Sequence, residues 1–335
     1  MKALILSLAM LMLTFELEAG PYPKSDHYNG KTFFNPGQDD LKSFWQVLKW
    51  QLIGDKQEWP ENVANKNYPL RPLGSNEKVN ATFINHATFL LQLPGINILT
   101  DPVYSQRVSP MTFAGPKRVR AAGIPFELLP KIDVVVISHN HYDHLDLETL
   151  KMLDGKFHPL FLVPLGDEKL LKQAGIQNVK ELDWWEEVRI RDNRFIFSPS
   201  KHWSARSLWD KNECLWGSFM VDNGQSKIYF AGDTGYSPHF LDTKSRLGEP
   251  DLALLPIGAY KPQWFMQTHH MNPEEAVKAH IDLGAVRSIA MHFGTFQLSD
   301  EGINEPIDDL ELAREKLNIS PEEFLILDQG QALAY

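Results

Sequence analysis

The residues most capable of chemistry lie in the segment 138–146, which reads SHNHYDHLD and holds His139, His141, Asp143 and His144 within six residues. The segment directly follows an apolar run at 133–137 that is typical of a buried strand. Side chains alternate along an extended chain, so the first two histidines point to one side, and the turn that follows directs the aspartate and third histidine at a second point nearby. Neutral imidazoles and carboxylate oxygens are the ligands that a metal such as zinc takes where thiolates are absent. The spacing therefore predicts a metal site.

Three more polar residues follow apolar runs, at the positions where strands are expected to end and loops gather. They are His202, Asp233 and His292. Together with the first cluster they complete a site for two metal ions. One ion takes three histidines, His139, His141 and His202. The other takes Asp143, His144 and His292, and Asp233 bridges the pair. Both ions keep open positions for water.

Composition narrows the kinds of site and partner. The 335 residues carry 33 Lys and Arg against 43 Asp and Glu, a formal charge of −10. This balance argues against a broad polyanion-binding surface, and no basic stripe indicates a nucleic-acid partner. Cys214 is the only cysteine, which excludes an intrachain disulfide and a cysteine-based zinc site. Any metal must therefore be held by histidines and carboxylates.

Three segments are predicted along the chain. Residues 1–19, with an apolar run at 3–13, are typical of a signal peptide, so we expect export to the periplasm or the exterior. Residues 20–76 form an N-terminal extension with an amphipathic helix at 41–53, which either meets a lipid interface or packs on the core. Residues 77–335 alternate strand-like and helical runs, a pattern that predicts an α/β domain.

The HNHYDH string at 139–144, with the three downstream ligands, resembles the metallo-β-lactamase-fold hydrolases. Further motifs are similar to one branch, the N-acylphosphatidylethanolamine-hydrolysing phospholipases D, over most of residues 28–330: VPLG, ELDWWEE, LWGS, FAGDTGY, PIGAY, NPEEA and HFGTF. The resemblance implies an αββα sandwich of two mixed β-sheets flanked by helices. It also implies two zinc ions on the seven residues above, a phosphodiester substrate with long acyl chains, a peripheral contact with the membrane surface, and a homodimer.

The resemblance also draws attention to residues around the site. His270 aligns with a family histidine near the active site, and we expect it to donate a proton or contact phosphate, although the NPEE sequence after it also indicates a helix start. His86 follows Asn85, which stands where the family has glycine, and it either supports a ligand or is simply satisfied between strands. Asp101 and Asp146 either accept a hydrogen bond from a ligand imidazole or serve as turn and helix-cap residues.

Two metal ions that share a water lower its pKa toward about 7, which makes hydroxide available at neutral pH. The resemblance therefore implies that a hydroxide bridging the metals attacks phosphorus, with Asp143, Asp233 and His270 as catalytic residues. The products are N-acylethanolamine and phosphatidic acid. Two alternatives remain open because fold does not settle substrate. The same site could act on another ester, such as a lactone or a soluble phosphodiester, or the chain could be a non-catalytic metal- or lipid-binding member.

Overall fold

The computed structural model of the chain describes residues 20–37, 49–50 and 54–335, and within them the strands form two seven-stranded sheets. The first sheet has the spatial order β14 (Ala332–Ala334), β1 (Asn80–Asn85), β2 (Thr88–Leu93), β3 (Ile96–Thr100), β4 (Val134–Val136), β5 (Leu160–Pro164) and β6 (Val179–Leu182). The second has the order β13 (Phe324–Leu325), β12 (Arg287–Met291), β11 (Leu252–Pro256), β10 (Lys227–Phe230), β9 (Ser218–Asp222), β8 (Asn193–Ser198) and β7 (Glu187–Ile190). Both sheets contain parallel and antiparallel pairs, so the prediction of two mixed sheets in an α/β protein is confirmed.

Helices connect many of the strands: α1 (Leu147–Phe157), α2 (Glu168–Gln173), α3 (His239–Leu247), α4 (Gln263–Met266), α5 (Pro273–Leu283) and α6 (Glu305–Leu317), with a 3-10 turn at Phe126–Leu128. The local sequence explains where two of these helices begin. Asp146 caps α1 by accepting from the backbone N–H of Thr149. At α5, the Asn272 side chain accepts from the N–H of Glu275, whose carboxylate accepts from the N–H of Asn272 in return.

Strand side chains alternate between two apolar layers. Val134 and Val136 of β4 point into the core between the sheets, where Phe219 of the second sheet also lies. Val135 points the other way, into a layer that contains Leu150 and Leu153 of α1. This period of two residues is what a strand buried on both faces requires. Helices therefore cover the outer face of the first sheet, and α5 packs on β11 of the second.

Part of the N-terminal extension packs on this body. Tyr28 and Phe33 are buried in the core between the sheets. The predicted signal peptide at 1–19, and all of the predicted helix at 41–53 except Lys49 and Trp50, lie outside the described residues. The Trp50 ring stacks on that of Phe265 with centroids 5.0 Å apart. No helix in the described part of the chain is both long and apolar enough to cross a membrane.

Candidate metal centre

The site forms where strands from both sheets end. In the first sheet β1, β3 and β4 run in one direction, because β3 is parallel to β4 and the antiparallel β2 lies between β1 and β3. In the second sheet β8, β10 and β12 likewise share one direction. The carboxyl ends of these six strands lead into the seven predicted ligands and two supporting residues: His86, Asp101, the segment 138–144, His202, Asp233 and His292.

Backbone conformation at these strand ends is unusual. His86, Asp101 and His292 adopt left-handed φ values of 47°, 33° and 63°. Non-glycine residues rarely occupy this region, and such strain concentrates at functional sites. Gly232, with φ of 58°, precedes Asp233, and a Cβ atom there would come within 2.4 Å of the Ser138 Cβ. Glycine is therefore required for the approach of Asp233 to the 138–144 segment.

The first predicted ligand set converges on one point. His139 Nε2 lies 2.8 Å from His141 Nδ1, which lies 3.2 Å from His202 Nε2. Two nitrogens bound to one tetrahedral zinc ion at about 2.0 Å would be about 3.3 Å apart, close to these separations. The structure thus brings together the three histidines that the sequence assigned to one ion.

The second set also converges. The Asp143 Oδ2 atom lies 3.5 Å from His144 Nε2 and 3.4 Å from His292 Nε2. The Asp233 Oδ2 atom lies 3.2 Å and 3.1 Å from the same two nitrogens, and 3.9 Å from His202 Nε2 in the first set. Asp233 therefore stands between the two sets, as a bridging carboxylate would.

The hydrogen bonding of these atoms fits metal ions. Among the described residues, Asp233 Oδ1 is buried without a hydrogen-bond partner. His144 Nε2 and His292 Nε2 are also buried, and the aspartate oxygens 3.1 to 3.5 Å away do not meet them with hydrogen-bond geometry. Buried polar atoms are rarely left unpaired, and each one that is unpaired calls for a physical explanation. Cations held by imidazoles and carboxylates provide it, so the seven residues could hold two metal ions.

A buried hydrogen-bond network supports the ligands from behind. The Asp101 carboxylate accepts from the Ser138 backbone N–H at 2.7 Å, and its Oδ2 lies 2.6 Å from His144 Nδ1. Such a carboxylate fixes the tautomer and ring orientation of a ligand histidine. His86 Nε2 lies 3.0 Å from Asp143 Oδ2 and holds that carboxylate in place. The expected supporting roles of Asp101 and His86 therefore match the geometry. Asn85, the last residue of β1, donates to the Val103 carbonyl in the loop after β3.

Asp146 has the alternative role. Its carboxylate caps α1 and accepts from the backbone N–H groups of Tyr104 and Ser105 at 3.2 and 2.9 Å. The hydrogen bonds that the structure gives it include none from a ligand imidazole. The expectation of a ligand-supporting Asp146 is thus replaced by that of a cap, which anchors the end of the ligand segment to the loop after β3.

Sequence reasoning missed Arg206. One of its terminal nitrogens, Nη1, donates to the carbonyls of Asn140 and Leu145 at 2.7 and 2.8 Å, so one side chain spans both ends of the ligand turn. Its guanidinium also stacks 4.0 Å from the Tyr142 ring centre. A lone arginine in a loop gives no signal of this contact, because its partners are backbone carbonyls about 60 residues away.

Burial and charge divide the ligands into two groups. Burial lowers the pKa of His141 to about 4 and holds the pKa values of His139 and His202 well below their usual range, so this set offers neutral imidazoles. Burial also disfavours the charged form of His292, but Asp233 and Asp143 outweigh it and raise its pKa to about 9. The pKa of His144 is raised for the same reasons. Binding a metal to the second set must therefore release protons.

His270 lies at the exposed side of the cluster. Its Nδ1 atom is 3.8 Å from Asp233 Oδ2, and its side chain is 16% exposed. Burial lowers its pKa to about 4, so the ring is neutral at pH 7. The backbone carbonyl of His269 lies 2.9 Å from His202 Nδ1, which makes it the natural acceptor for that nitrogen. Of this histidine pair, His270 is therefore the one placed to reach a substrate.

Comparisons with known proteins show which proteins this chain resembles. Residues 96–293 match the beta-lactamase superfamily domain. The chain is 35% identical to "N-acyl-phosphatidylethanolamine-hydrolyzing phospholipase D 1" of Caenorhabditis elegans, over 90% of this chain and 92% of that protein. It is 40% identical to the mitochondrial protein of similar name in Saccharomyces cerevisiae, over 72% of this chain and 53% of the relative. A solved metallo hydrolase from Ignicoccus hospitalis superposes with a TM-score of 0.58 at 22% identity, over 77% of this chain and 98% of that chain.

The Asp101 contact predicts a specific loss of metal affinity. In Asp101→Asn an amide N–H₂ or a weaker amide oxygen replaces the carboxylate that faces both His144 and Ser138. We expect the affinity for the more weakly bound metal ion to fall about tenfold or more, as for other supporting carboxylates. Competition with a chelating dye measures it. Asp146→Asn is the matched control, since that carboxylate serves as a cap, and equal losses of affinity in the two variants would contradict the assignment.

Asp167 predicts a pH-dependent stability. Its side chain is fully buried, accepts from Asn140 Nδ2 at 3.1 Å, and burial raises its pKa to about 7. The folded chain thus binds more protons here than the unfolded chain, so the contribution to stability is present below about pH 4 and lost as the pH rises through 7. The free energy of unfolding of Asp167→Asn, measured relative to that of the parent, should rise by about 1 kcal/mol or more from pH 5 to pH 8. Urea unfolding at both values measures it, and a pH-independent difference would show that the carboxyl is not protonated.

Proposed function

The chain belongs to the beta-lactamase superfamily and, within it, to the N-acylphosphatidylethanolamine-hydrolysing phospholipase D family of metal-dependent hydrolases. We propose that it hydrolyses N-acylphosphatidylethanolamine to N-acylethanolamine and phosphatidic acid. The observation that carries the proposal is the convergence of all seven predicted ligands at one edge of the two sheets. The Caenorhabditis elegans relative of that name matches this chain over 92% of its own length.

The donor set favours zinc. Six of the seven side chains stand within two clusters of metal-ligating atoms: His139, His141 and His202 in one, and Asp143, His144 and His292 in the other. Imidazole with carboxylate, and no thiolate, suits zinc in a catalytic site. When bound, two such ions would lower the pKa of a shared water and take up negative charge on the phosphoryl oxygens.

The chain's own residues would orient this chemistry. Asp233 would hold the two ions at a fixed separation, and Asp143 is kept in its orientation by His86. The carboxylate of Asp101 holds the His144 ring, so that its Nε2 faces the site. Because the ligand strands are packed in the core on both sides, these groups need little reorganisation when substrate arrives, which is the basis of electrostatic stabilisation of a transition state.

His270 would contact the phosphoryl group. It is the partly exposed member of the cluster and lies beside Asp233. Since its pKa of about 4 leaves it neutral at pH 7, an N–H group that donates a hydrogen bond to a phosphoryl oxygen is favoured over a cationic general acid. The leaving group would then take its proton from water.

Three further expectations belong to this proposal. The substrate resides in a membrane, so the enzyme would work as a peripheral protein at a phospholipid surface. A homodimer and export through the segment 1–19 are proposed on the family resemblance and on the apolar run of that segment. Hydrolysis of a lactone or a soluble phosphodiester is the alternative, since the ligand set supports any of these esters. The retention of all seven ligands speaks against a non-catalytic member.

The direct test is release of phosphatidic acid from N-acylphosphatidylethanolamine vesicles by the metal-loaded chain. We expect release by the parent and none above background by His144→Ala, because that variant removes a ligand of the second ion. Mass spectrometry of both products identifies the bond that is cleaved. If the parent binds two metal ions and releases neither product, the phospholipase assignment is wrong, and a screen of lactones and soluble phosphodiesters would follow.

The role of His270 is tested by a pair of variants in the same assay. His270→Ala removes the N–H donor and should lower kcat/KM about a hundredfold, the typical cost of one donor to a developing negative charge. His270→Gln restores an N–H donor that cannot act as an acid, so it should recover most of the loss. Metal content should stay at the parent value in both. Equal, large losses in the two variants would instead indicate a general acid.

A further inference from the structure

Two loops beside the metal centre expose large apolar side chains. The 106–118 loop presents Met111 and Phe113, which are 47% and 79% exposed. The 203–212 loop presents Leu208 and Trp209, which are 90% and 87% exposed. Four such side chains near one site are costly in water, and exposed apolar groups gathered beside a site typically mark an interaction surface.

Each loop is held in shape at its base. In the 106–118 loop, Arg118 N donates to the Gln106 carbonyl at 2.8 Å and Val108 N to the Pro116 carbonyl at 3.2 Å, as in a hairpin. In the 203–212 loop, Asn212 N donates to the Ser204 carbonyl at 2.8 Å. The carboxylate of Asp210 accepts from the Ser207 backbone N–H at 2.8 Å. The apolar side chains therefore stand at the tips of loops with closed bases.

Both loops are attached to the metal centre. The 203–212 loop begins directly after the ligand His202, and its Trp203 ring lies 4.4 Å from that of His141. The 106–118 loop is anchored by Arg118, whose guanidinium lies 4.9 Å from the ring of Phe296, which in turn contacts His86. The loops also line one cavity of about 760 Å³, whose wall includes Tyr142 of the ligand segment. A surface that engages the tips would thus lie beside the site.

The charge of the 106–118 loop and its flanks is opposite to that of the whole chain. Residues 102–126 contain Arg107, Lys117, Arg118 and Arg120 and no Asp or Glu, in a protein of net charge −10. Arg118 is buried, so Arg107, Lys117 and Arg120 provide the accessible charge of this segment. Large apolar side chains interleaved with Lys and Arg are what anionic lipid surfaces attract, since apolar contact and headgroup charge then act together. The core of a subunit interface would instead be poor in Lys and other charged residues.

We propose that the tips of the 106–118 and 203–212 loops, with Met111, Phe113, Leu208 and Trp209, insert into the headgroup region of an anionic phospholipid bilayer and hold the metal centre against it. This inference rests on the proposed function, because it identifies the surface from which that site takes its substrate. It also differs from the expectation that residues 41–53 make the lipid contact.

The test measures binding of the chain to vesicles that contain none of the proposed substrate, so that no hydrolysis takes place. Metal-loaded full chain is sedimented with vesicles of phosphatidylcholine and phosphatidylserine that contain no N-acylphosphatidylethanolamine. We expect Phe113→Ser with Trp209→Ser to weaken binding about tenfold for each side chain removed from the lipid. The matched control is Val286→Ser with Leu312→Ser, two side chains that are 61% and 64% exposed elsewhere, which should bind as the parent does. Melting temperature and metal content verify that each variant is folded.

Hydrogen exchange locates the contact even if another segment also binds lipid. Amides of 109–115 and 205–211 should exchange more slowly on vesicles than in solution. Lys117→Ala should weaken binding to vesicles with phosphatidylserine and leave binding to pure phosphatidylcholine unchanged. Parent-like binding by the Phe113/Trp209 variant, with unchanged exchange in both loops, would overturn the proposal. So would a parent dimer that this variant converts to a monomer in light scattering, because the patch would then be a subunit interface.

The two proposals fail separately. Loss of vesicle binding in the tip variant supports the docking surface whether or not phosphatidic acid is released from the natural substrate. Release by the parent, with equal vesicle binding by the parent and the tip variant, would overturn the docking surface and leave the proposed function standing.

Discussion

The carboxylate of Asp233 is almost completely buried, and its Oδ2 atom lies within 4 Å of ring nitrogens of His144, His202, His270 and His292. Taking an anion out of water costs several kcal/mol unless positive charge compensates it. The surrounding imidazoles, and above all the protonated His144 and His292, keep the pKa of this carboxyl well below its usual range. Metal ions would replace those protons. The fold must therefore deliver a buried anion and its partners to one point, which explains why six strand ends meet there.

The convergence of the seven predicted ligands could be anticipated from the sequence because their signal is local or lies at strand ends. The spacing within 138–144 identifies four ligands, and the apolar runs before His202, Asp233 and His292 predict that each follows a strand. Strands that run in the same direction, either paired directly or separated by one antiparallel strand, then bring their ends to the same edge. The two-sheet α/β architecture follows from the same runs and from the family motifs. What spacing alone does not give is the partner of each side chain, because those contacts join residues far apart in the chain.

Asp101 and Asp146 illustrate this limit. Both are aspartates near strand or helix boundaries, and the sequence gives them the same two alternatives. The structure separates them through long-range geometry, since Asp101 faces His144 across 43 residues while Asp146 caps the helix that begins beside it. Arg206 was invisible because it binds carbonyls, which every residue has. The exposed tips at Phe113 and Trp209 were missed for a related reason, as a sequence does not reveal which aromatic residues remain outside the core.

We propose that Asp233 would bridge two metal ions held by the two ligand sets. Anomalous diffraction from crystals of the zinc-loaded chain, recorded on both sides of the zinc absorption edge, tests it most directly. We expect two anomalous peaks about 3.5 to 4 Å apart, as in other two-metal sites, with the Asp233 carboxylate bound to both ions. A single peak, or two peaks with Asp233 bound to only one of them, would contradict it.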